Sequence, residues 1–91
     1  MNKSELVQVL ADDAKLPLVD AALVVNTFVD CVKESLLANG RVEIRGFGSF
    51  KVKQYKGYVG RNPKTGIRVE VPPKRLPFFR AGKELKDFLN E

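Results

Sequence analysis

The sequence predicts an α+β fold, and three features of its hydrophobic pattern indicate that class. Apolar residues recur at helical spacing through residues 1–40, alternate with polar residues through residues 41–80, and return to helical spacing in residues 81–91. At 91 residues the chain is long enough for one domain at most. We therefore expect a helical part, a sheet and a closing helix, in that order, within a single domain.

The helical part is predicted to contain two helices. Asn2 followed three residues later by Glu5 is typical of a helix start, so the first helix should run over about residues 3–14. Pro17 suits the start of a second helix, which the Asn-Gly pair at 39–40 should end. This second helix carries apolar residues on more than one face, so a surface beyond its own hairpin is needed to cover it.

A short hairpin is predicted to follow the helices. Val42 and Ile44 alternate with charged residues, the Gly-Phe-Gly sequence at 46–48 predicts a turn, and Phe50 and Val52 resume the alternation. The apolar residues of both strands fall on one face, which should lie towards the core.

A second, longer hairpin is predicted for about residues 54–74. The runs on either side of the GRNPKTG sequence at 60–66 offer no further core face, and the prolines at 72–73 should end the returning strand. Ten extended residues would project about 33 Å, and an isolated two-stranded ribbon is only marginally stable. We expect an arm that is mobile until a partner orders it, after which residues 76–79 rejoin the sheet.

The GRNPKTG sequence has a simple local interpretation. Asn62 and Pro63 fit the first two positions of a reverse turn, and Gly66 accepts the dihedral angles that the exit requires. On this interpretation the proline serves the turn alone. It leaves unexplained why a rigid apolar ring lies between the cations Arg61 and Lys64 at the tip of a basic hairpin.

Charge is distributed unevenly along the chain. Residues 1–40 carry three cations and six acids, whereas residues 41–83 carry twelve cations and two acids, a local charge of +10 within a total of +5. A basic region of this length, with glycines and tyrosines interleaved, indicates a polyanionic partner and favours nucleic acid over a merely solvated surface.

Other function classes are disfavoured by composition. The sequence has no histidine and one cysteine, Cys31, which excludes an internal disulfide and the usual zinc and histidine-based catalytic sites. Cys31 is interpreted as a small buried apolar residue. We predict no catalytic residue, metal ligand or cofactor. No apolar run is long enough to cross a bilayer and the first residues do not resemble a signal peptide, so we expect a cytoplasmic protein.

Three motifs in this order resemble the bacterial HU and integration host factor family of DNA-bending proteins. They are GFGSF at 46–50, GRNPKTG at 60–66 and RAGKELKD at 80–87, and the resemblance covers the whole chain. It implies an intertwined homodimer with a helical body, a β-saddle and two extended β-ribbon arms. It also implies that Pro63 inserts between base pairs, while the residues beside it contact the minor groove and phosphates.

The residues predicted to contact DNA follow from the charge pattern and from this resemblance. They are Lys53, Lys56, Arg61, Asn62, Pro63, Lys64, Arg68, Lys74, Arg75, Arg80, Lys83 and Lys86. A dimer is expected because a chain this short, with an arm outside its core, rarely stabilises itself alone. The residues predicted to form the dimer core are Phe28, Val32, Phe47, Phe50 and Phe79.

The sequence departs from the family pattern in the outgoing strand of the arm. Many relatives carry arginines where this chain has Tyr55 and Tyr58. The tyrosines either donate hydrogen bonds to phosphate or pack across the ribbon on Val69 and Val71. We favour packing, because aromatic and β-branched pairs stabilise exposed ribbons.

The expected function is that of a nucleoid protein that bends and compacts bacterial DNA. Expected partners are duplex DNA, with a preference for bent, nicked or gapped forms, and a second copy of the chain. Little sequence selectivity is expected, since the sequence stops at residue 91 without the C-terminal extension that would favour an integration host factor subunit. A sequence-specific subunit, a heterodimer with a paralogue and RNA binding stay open; an enzyme or a membrane-binding module is disfavoured.

Overall fold

The computed structural model of the protein describes residues 1–90. Its elements, in chain order, are α1 (Lys3–Ala14), α2 (Leu18–Leu37), β1 (Val42–Ile44), β2 (Gly48–Tyr55), β3 (Tyr58–Arg61), β4 (Arg68–Val71), β5 (Lys74–Ala81) and α3 (Lys83–Leu89). The chain folds into two compact units, Met1–Ser35 and a second that begins at Leu36. The predicted mixture of helices and antiparallel strands is confirmed.

The first unit is built on α1 and most of α2. The side-chain oxygen of Asn2 accepts a 2.9 Å hydrogen bond from the backbone N–H of Glu5, so the capping residue and the bounds predicted for the first helix are confirmed. Its small core comprises Val7, Ala11, Ala21 and Val25. Helix α2 begins at Leu18, one residue after Pro17, whose carbonyl accepts the N–H of Ala21. Pro17 therefore lies at the start of the helix, as the sequence predicted.

Helix α2 keeps large apolar side chains on its surface. Leu23, Val24, Phe28 and Val29 are all exposed, in agreement with the prediction that this helix has more apolar surface than its own hairpin covers. Cys31 also lies on the surface, so its interpretation as a buried residue was wrong for this chain. Of α2, only Ala21 and Val25 are buried, so Cys31 lies beyond the part of the helix that contributes to the small core.

The second unit contains a three-stranded antiparallel sheet in the order β1-β2-β5. Strand β5 pairs with β2 along its whole length, from Gly48 opposite Ala81 to Tyr55 opposite Lys74. The sequence predicted only residues 76–79 to rejoin the sheet, so the returning strand is longer at both ends. Ala81 is its last residue, and α3 therefore begins two residues later than predicted.

Gly48 lets β5 pack closely against β2. A Cβ atom at this position would lie 2.5 Å from the carbonyl oxygen of Arg80 and 2.6 Å from the ring of Phe79. Both neighbours are held in place, the first by the strand and the second by two other aromatic rings. Because the two strands lie so close together here, only glycine fits at position 48, where the turn ends and β2 begins.

We expect Gly48→Ala to destabilise the folded protein by about 1–3 kcal/mol, because the added methyl group overpacks this contact. Urea denaturation followed by circular dichroism measures the change. Gly60→Ala is the matched control, since a Cβ there meets only Tyr58 Cε2 at 3.6 Å and the carbonyl of Val69 at 4.0 Å. Equal losses for the two variants would contradict this account.

A separate two-stranded ribbon is formed by β3 and β4. Its register pairs Tyr58 with Val71 and Arg61 with Arg68. The continuous ten-residue strands predicted for the arm are not observed, because both strands of the hairpin are interrupted, at residues 56–57 and 72–73. The physical reason is local: Pro72 and Pro73 lack the N–H that a ladder requires.

The tip of the ribbon is a tight turn closed at both sides. The N–H of Gly66 donates to the carbonyl of Asn62 at 2.7 Å, and the N–H of Asn62 donates to the carbonyl of Ile67 at 2.9 Å. The closing bond spans five residues, one more than the predicted reverse turn. Gly66 has φ of +71°, which confirms the expectation that the exit from the turn needs glycine.

Candidate nucleic-acid interface

The sheet of the second unit has one charged face. Side chains alternate between the two faces of a strand, so the register of β2 with β5 assigns every residue to a side. The residues that share the charged face, given as facing pairs, are Ser49 and Arg80, Lys51 and Phe78, Lys53 and Leu76, and Tyr55 and Lys74. We call this surface the charged face. Three of the predicted DNA contacts, Lys53, Lys74 and Arg80, lie on it.

Three of the four aromatic residues predicted for the dimer core, Phe47, Phe50 and Phe79, cluster at the opposite face. The rings of Phe50 and Phe79 have centroids 4.9 Å apart, and those of Phe47 and Phe79 are 5.4 Å apart. Phe47 and Phe79 nevertheless keep 44% and 39% of their surface exposed in the single chain. The cluster is therefore assembled within one chain and still presents apolar surface to a further partner.

Arg75 lies on the aromatic side of the sheet, away from the other predicted contacts of β5. Its Nη2 atom donates to the carbonyl oxygens of Leu36 and Leu37, at 2.9 and 3.1 Å, and to Oδ1 of Asn39 at 2.7 Å. Leu36 and Leu37 end α2 and Asn39 follows it, and the helix has no basic residue in its own last turn. The contact of Arg75 with DNA stays a prediction, but its guanidinium is engaged with the helix end.

A basic cleft connects the charged face to the start of α3. It has a volume of about 580 Å³, and six cations line it together with the acids Glu43 and Asp87. The cations are Arg41, Arg45, Lys51, Arg80, Lys83 and Lys86. Three of the residues predicted to contact DNA, Arg80, Lys83 and Lys86, line this cleft together, and their contact with DNA stays a prediction. Such a concentration of cations suits a chain of phosphates.

The ribbon places two cations directly opposite each other. Arg61 and Arg68 form a facing pair at the end of β3 and β4 next to the tip. Like charges that face each other destabilise a ribbon. A polyanion bound against this end would remove that repulsion, so the arrangement favours nucleic acid as the ligand of the arm. The remaining predicted arm contact, Lys56, lies in the interruption between β2 and β3.

At the tip, Pro63 and the side chain of Lys64 are exposed. The side-chain oxygen of Asn62 accepts a 2.9 Å hydrogen bond from the backbone N–H of Lys64, which fixes the backbone on both sides of the proline. Asn62 thus has a role inside the turn in addition to its predicted contact with DNA. The proline ring is therefore exposed to solvent within a hydrogen-bonded turn.

The register also places the two tyrosines of the arm. Tyr58 faces Val71, and its ring lies alongside Gly60 of its own strand, so its packing across the ribbon stays a prediction. Tyr55 faces Lys74 in the other sheet and has no valine opposite it. The two tyrosines therefore occupy different surroundings, which their similar sequence positions did not indicate.

Several residues of the interface were not predicted. Arg41, Arg45 and Lys51 line the cleft, and Phe78 lies among the lysines of the charged face. The signal for Lys51 was present, because it precedes Lys53 by two residues and so shares its face. Within residues 1–90 no helix is long and apolar enough to cross a membrane, and no three histidine, cysteine or acidic side chains are grouped as metal ligands.

Comparison with known families and sequences identifies relatives over the whole described chain. The family described as "Bacterial DNA-binding protein" matches residues 1–90. The integration host factor subunit beta of Cupriavidus metallidurans is 52% identical over 90 residues, which are 96% of this chain and 65% of the relative. That of Hahella chejuensis is 46% identical over 91 residues, which are 99% of this chain and 93% of the relative. The chain thus spans just under two thirds of the Cupriavidus protein and nearly all of the Hahella protein.

Two of the solved structures with a similar fold are of HU proteins. A chain of the Anabaena HU-DNA cocrystal structure is 36% identical, superposes with a TM-score of 0.87, and the match covers 98% of this chain and 97% of that chain. HU from Thermotoga maritima is 29% identical, with a TM-score of 0.71 and coverage of 98% of both chains.

Proposed function

The chain belongs to the bacterial DNA-binding protein family of HU and integration host factor, and from this premise we propose that it bends duplex DNA as a dimer. The family makes it an architectural DNA-binding protein. The finer proposal concerns how it acts: cations of the charged face, the basic cleft and the arms hold the phosphates, while Pro63 enters the minor groove. No catalytic step, metal or cofactor belongs to this function.

The observation that carries the proposal is the geometry of the arm. Arg61 and Arg68 face each other beside a turn that carries the exposed ring of Pro63. The repulsion between the two arginines destabilises the ribbon in the free chain, and a bound anion would stabilise the ribbon by reducing that repulsion. A proline has no flexible side chain to order, so its insertion between base pairs costs little conformational entropy. The unstacking of the bases is offset by the additional contacts that bent DNA makes.

Dimerisation is proposed from the apolar surface that one chain leaves exposed. Phe28 on α2 is 47% exposed, and Phe47 and Phe79 of the aromatic cluster are similarly exposed. Val32 and Phe50 are partly buried. Residues of this size are rarely left in contact with water in a stable small domain, and a second chain that covers them supplies the missing core. The partner is a second copy or a paralogue with the same surface.

The relatives favour a subunit of the integration host factor type over a simple HU protein. Those in Cupriavidus and Hahella are both named integration host factor subunit beta, at 52% and 46% identity, whereas the HU structures are 36% identical or less. An HU-type protein with little sequence selectivity, which the sequence alone led us to expect, is therefore the second candidate function. Both candidates act on the bacterial nucleoid and both bend DNA, so they differ in selectivity and in the identity of the second subunit.

We propose that the arm orders on DNA. The interruptions at 56–57 and 72–73 separate the β3-β4 ribbon from the three-stranded sheet. No ladder hydrogen bond can form at a proline nitrogen, and a two-stranded ribbon alone is marginally stable. Contacts with phosphates supply the stabilisation that the ribbon lacks in the free protein.

Pro63→Ala should reduce the bend angle sharply and remove the preference for nicked over intact DNA, while dimer assembly and melting temperature stay unchanged. A nick has already lost part of the stacking, a few kcal/mol per step, that a wedge must disrupt. Fluorescence energy transfer between the labelled ends of a duplex measures the bend.

Arg61→Ala is the matched control at the same tip. This substitution removes a positive charge but keeps the Pro63 ring. It should therefore weaken binding to every duplex by a similar factor and leave the preference for nicked DNA intact. If Pro63→Ala bends DNA as the parent protein does and still prefers the nick, the proline serves only the turn.

A further inference from the structure

Phe78 is an aromatic residue in the middle of the charged face. It lies on β5 directly opposite Lys51 of β2, and its neighbours along the same face of β5 are Leu76 and Arg80. Phe50 and Phe79 lie on the opposite face, and Tyr55, the other aromatic residue of the charged face, lies at the far end of β2 opposite Lys74. Phe78 is partly buried and belongs to neither the aromatic cluster nor the arm.

Two lysine ammonium groups lie over the ring of Phe78. The Nζ atom of Lys53 is 3.8 Å from the ring centroid, and that of Lys51 is 5.6 Å away. Both distances are within the range of cation–π attraction, and the shorter one corresponds to close contact with the ring face. No acidic side chain of the described residues is paired with either lysine.

This contact holds a charge in place without neutralising it. A free lysine side chain samples many rotamers and must be ordered when it binds a phosphate. An ammonium group attracted to a ring is already restricted, and its N–H groups that point away from the ring stay available as donors. An acidic partner would fix the lysine equally well but would cancel the charge that a phosphate needs.

We propose that Phe78 is a positioning residue for DNA binding, which holds Lys53, and less closely Lys51, ready for the phosphates of a duplex on the charged face. This inference rests on the proposed function, because it assigns the charged face to the duplex. Phe78 would thus belong to the binding surface although its side chain has no charge and no hydrogen-bonding group. The proposal also explains why an aromatic ring lies on this face, away from the aromatic cluster.

The test compares Phe78→Leu, which keeps an apolar side chain on the strand, with Phe78→Tyr, which keeps the ring. Phe78→Leu should weaken binding to an intact duplex about two- to fivefold per subunit, the range expected for one exposed cation–π contact. Phe78→Tyr should restore the affinity of the parent protein. Fluorescence anisotropy with an end-labelled duplex measures both, and thermal melts show whether the variants remain folded.

Two lysine backgrounds separate positioning from a merely structural effect. In a Lys53→Gln background, Phe78→Leu should reduce duplex affinity much less than in the parent protein. In a Lys74→Gln background it should reduce affinity by the full factor, because Lys74 lies on the charged face but does not contact the ring of Phe78. Equal losses in both backgrounds, or a failure of Phe78→Tyr to restore binding, would overturn the inference.

A measurement without DNA separates this inference from the proposed function. The side-chain protons of Lys53 should show a ring-current shift in the free parent protein and in Phe78→Tyr, and lose it in Phe78→Leu. Unshifted Lys53 resonances in a parent protein that binds DNA would refute the positioning role alone. A parent protein that shows the shift but binds no duplex would refute the proposed function instead.

Discussion

Raising the salt concentration from about 50 to about 200 mM should weaken the binding of this protein to a duplex by roughly a thousandfold to a hundred-thousandfold. Each phosphate contact releases a condensed counterion and contributes about −0.9 to the slope of log affinity against log salt. The charged face, the basic cleft and the arm offer enough cations for about six to ten such contacts in a dimer. A titration by fluorescence anisotropy at several salt concentrations gives the slope.

Two single-charge variants make this measurement specific to the surface. Lys64→Gln at the arm tip should make the slope shallower by about 0.9 for each phosphate that the side chain no longer neutralises. Lys33→Gln removes the same charge from the acidic helical unit and should leave the slope unchanged. A slope near zero for the parent protein, or equal changes for both variants, would contradict the assignment of the phosphates to the basic region.

The same titration on two unrelated duplexes distinguishes the two candidate functions. For a protein of the integration host factor type we expect different affinities for the two duplexes at equal salt, since deformability and base contacts differ between sequences. Equal affinities would support the HU type. Salt slopes should be alike on both duplexes, because the phosphates are common to them.

Phe79→Ala should destabilise the folded protein by about 3–5 kcal/mol per chain, a large fraction of the stability of a small domain. The ring of Phe79 contacts those of Phe47 and Phe50, and the proposed second chain covers its exposed part. Its loss opens a cavity in the cluster and removes apolar area from the dimer interface. The variant should therefore melt earlier and dissociate at higher protein concentration than the parent.

Analytical ultracentrifugation and thermal melts at several concentrations measure the two effects together. Tyr58→Ala is the control, because it removes an aromatic ring of the arm that is 65% exposed and should change neither melting nor assembly. A parent protein that is a folded monomer at low micromolar concentration would refute the dimer. An unchanged melting temperature for Phe79→Ala would refute the role of the cluster.

The parts of the fold that the sequence predicted best are those determined by neighbouring residues. The bounds of α1 follow from the cap at Asn2, and the tip of the arm follows from Asn62, Pro63 and Gly66. The errors involve residues that are distant in sequence. The length of β5 depends on its pairing with β2, and the surface position of Cys31 depends on how much of α2 the first helix covers.

The candidate site shows the same limit. Residue type alone grouped Lys74 with Arg75, yet adjacent residues of a strand point to opposite faces. Phe78 is not recognisable from the sequence as part of a binding surface, because its ring carries no charge and only the cross-strand register reveals its two lysine neighbours. Tertiary pairing decides both cases, and a single strand does not contain that information.

The position of Arg75 changes how many basic side chains the chain offers to a polyanion. Its guanidinium already donates to the carbonyl end of a helix 20 residues long. Arg41 is likewise engaged, through an ion pair with Glu43 at 2.9 Å. These contacts leave the net charge of the chain unchanged, so the long-range attraction of DNA should follow that net charge. At short range they occupy two of the basic side chains, so a count of basic residues would overestimate the number of phosphate contacts and the salt slope.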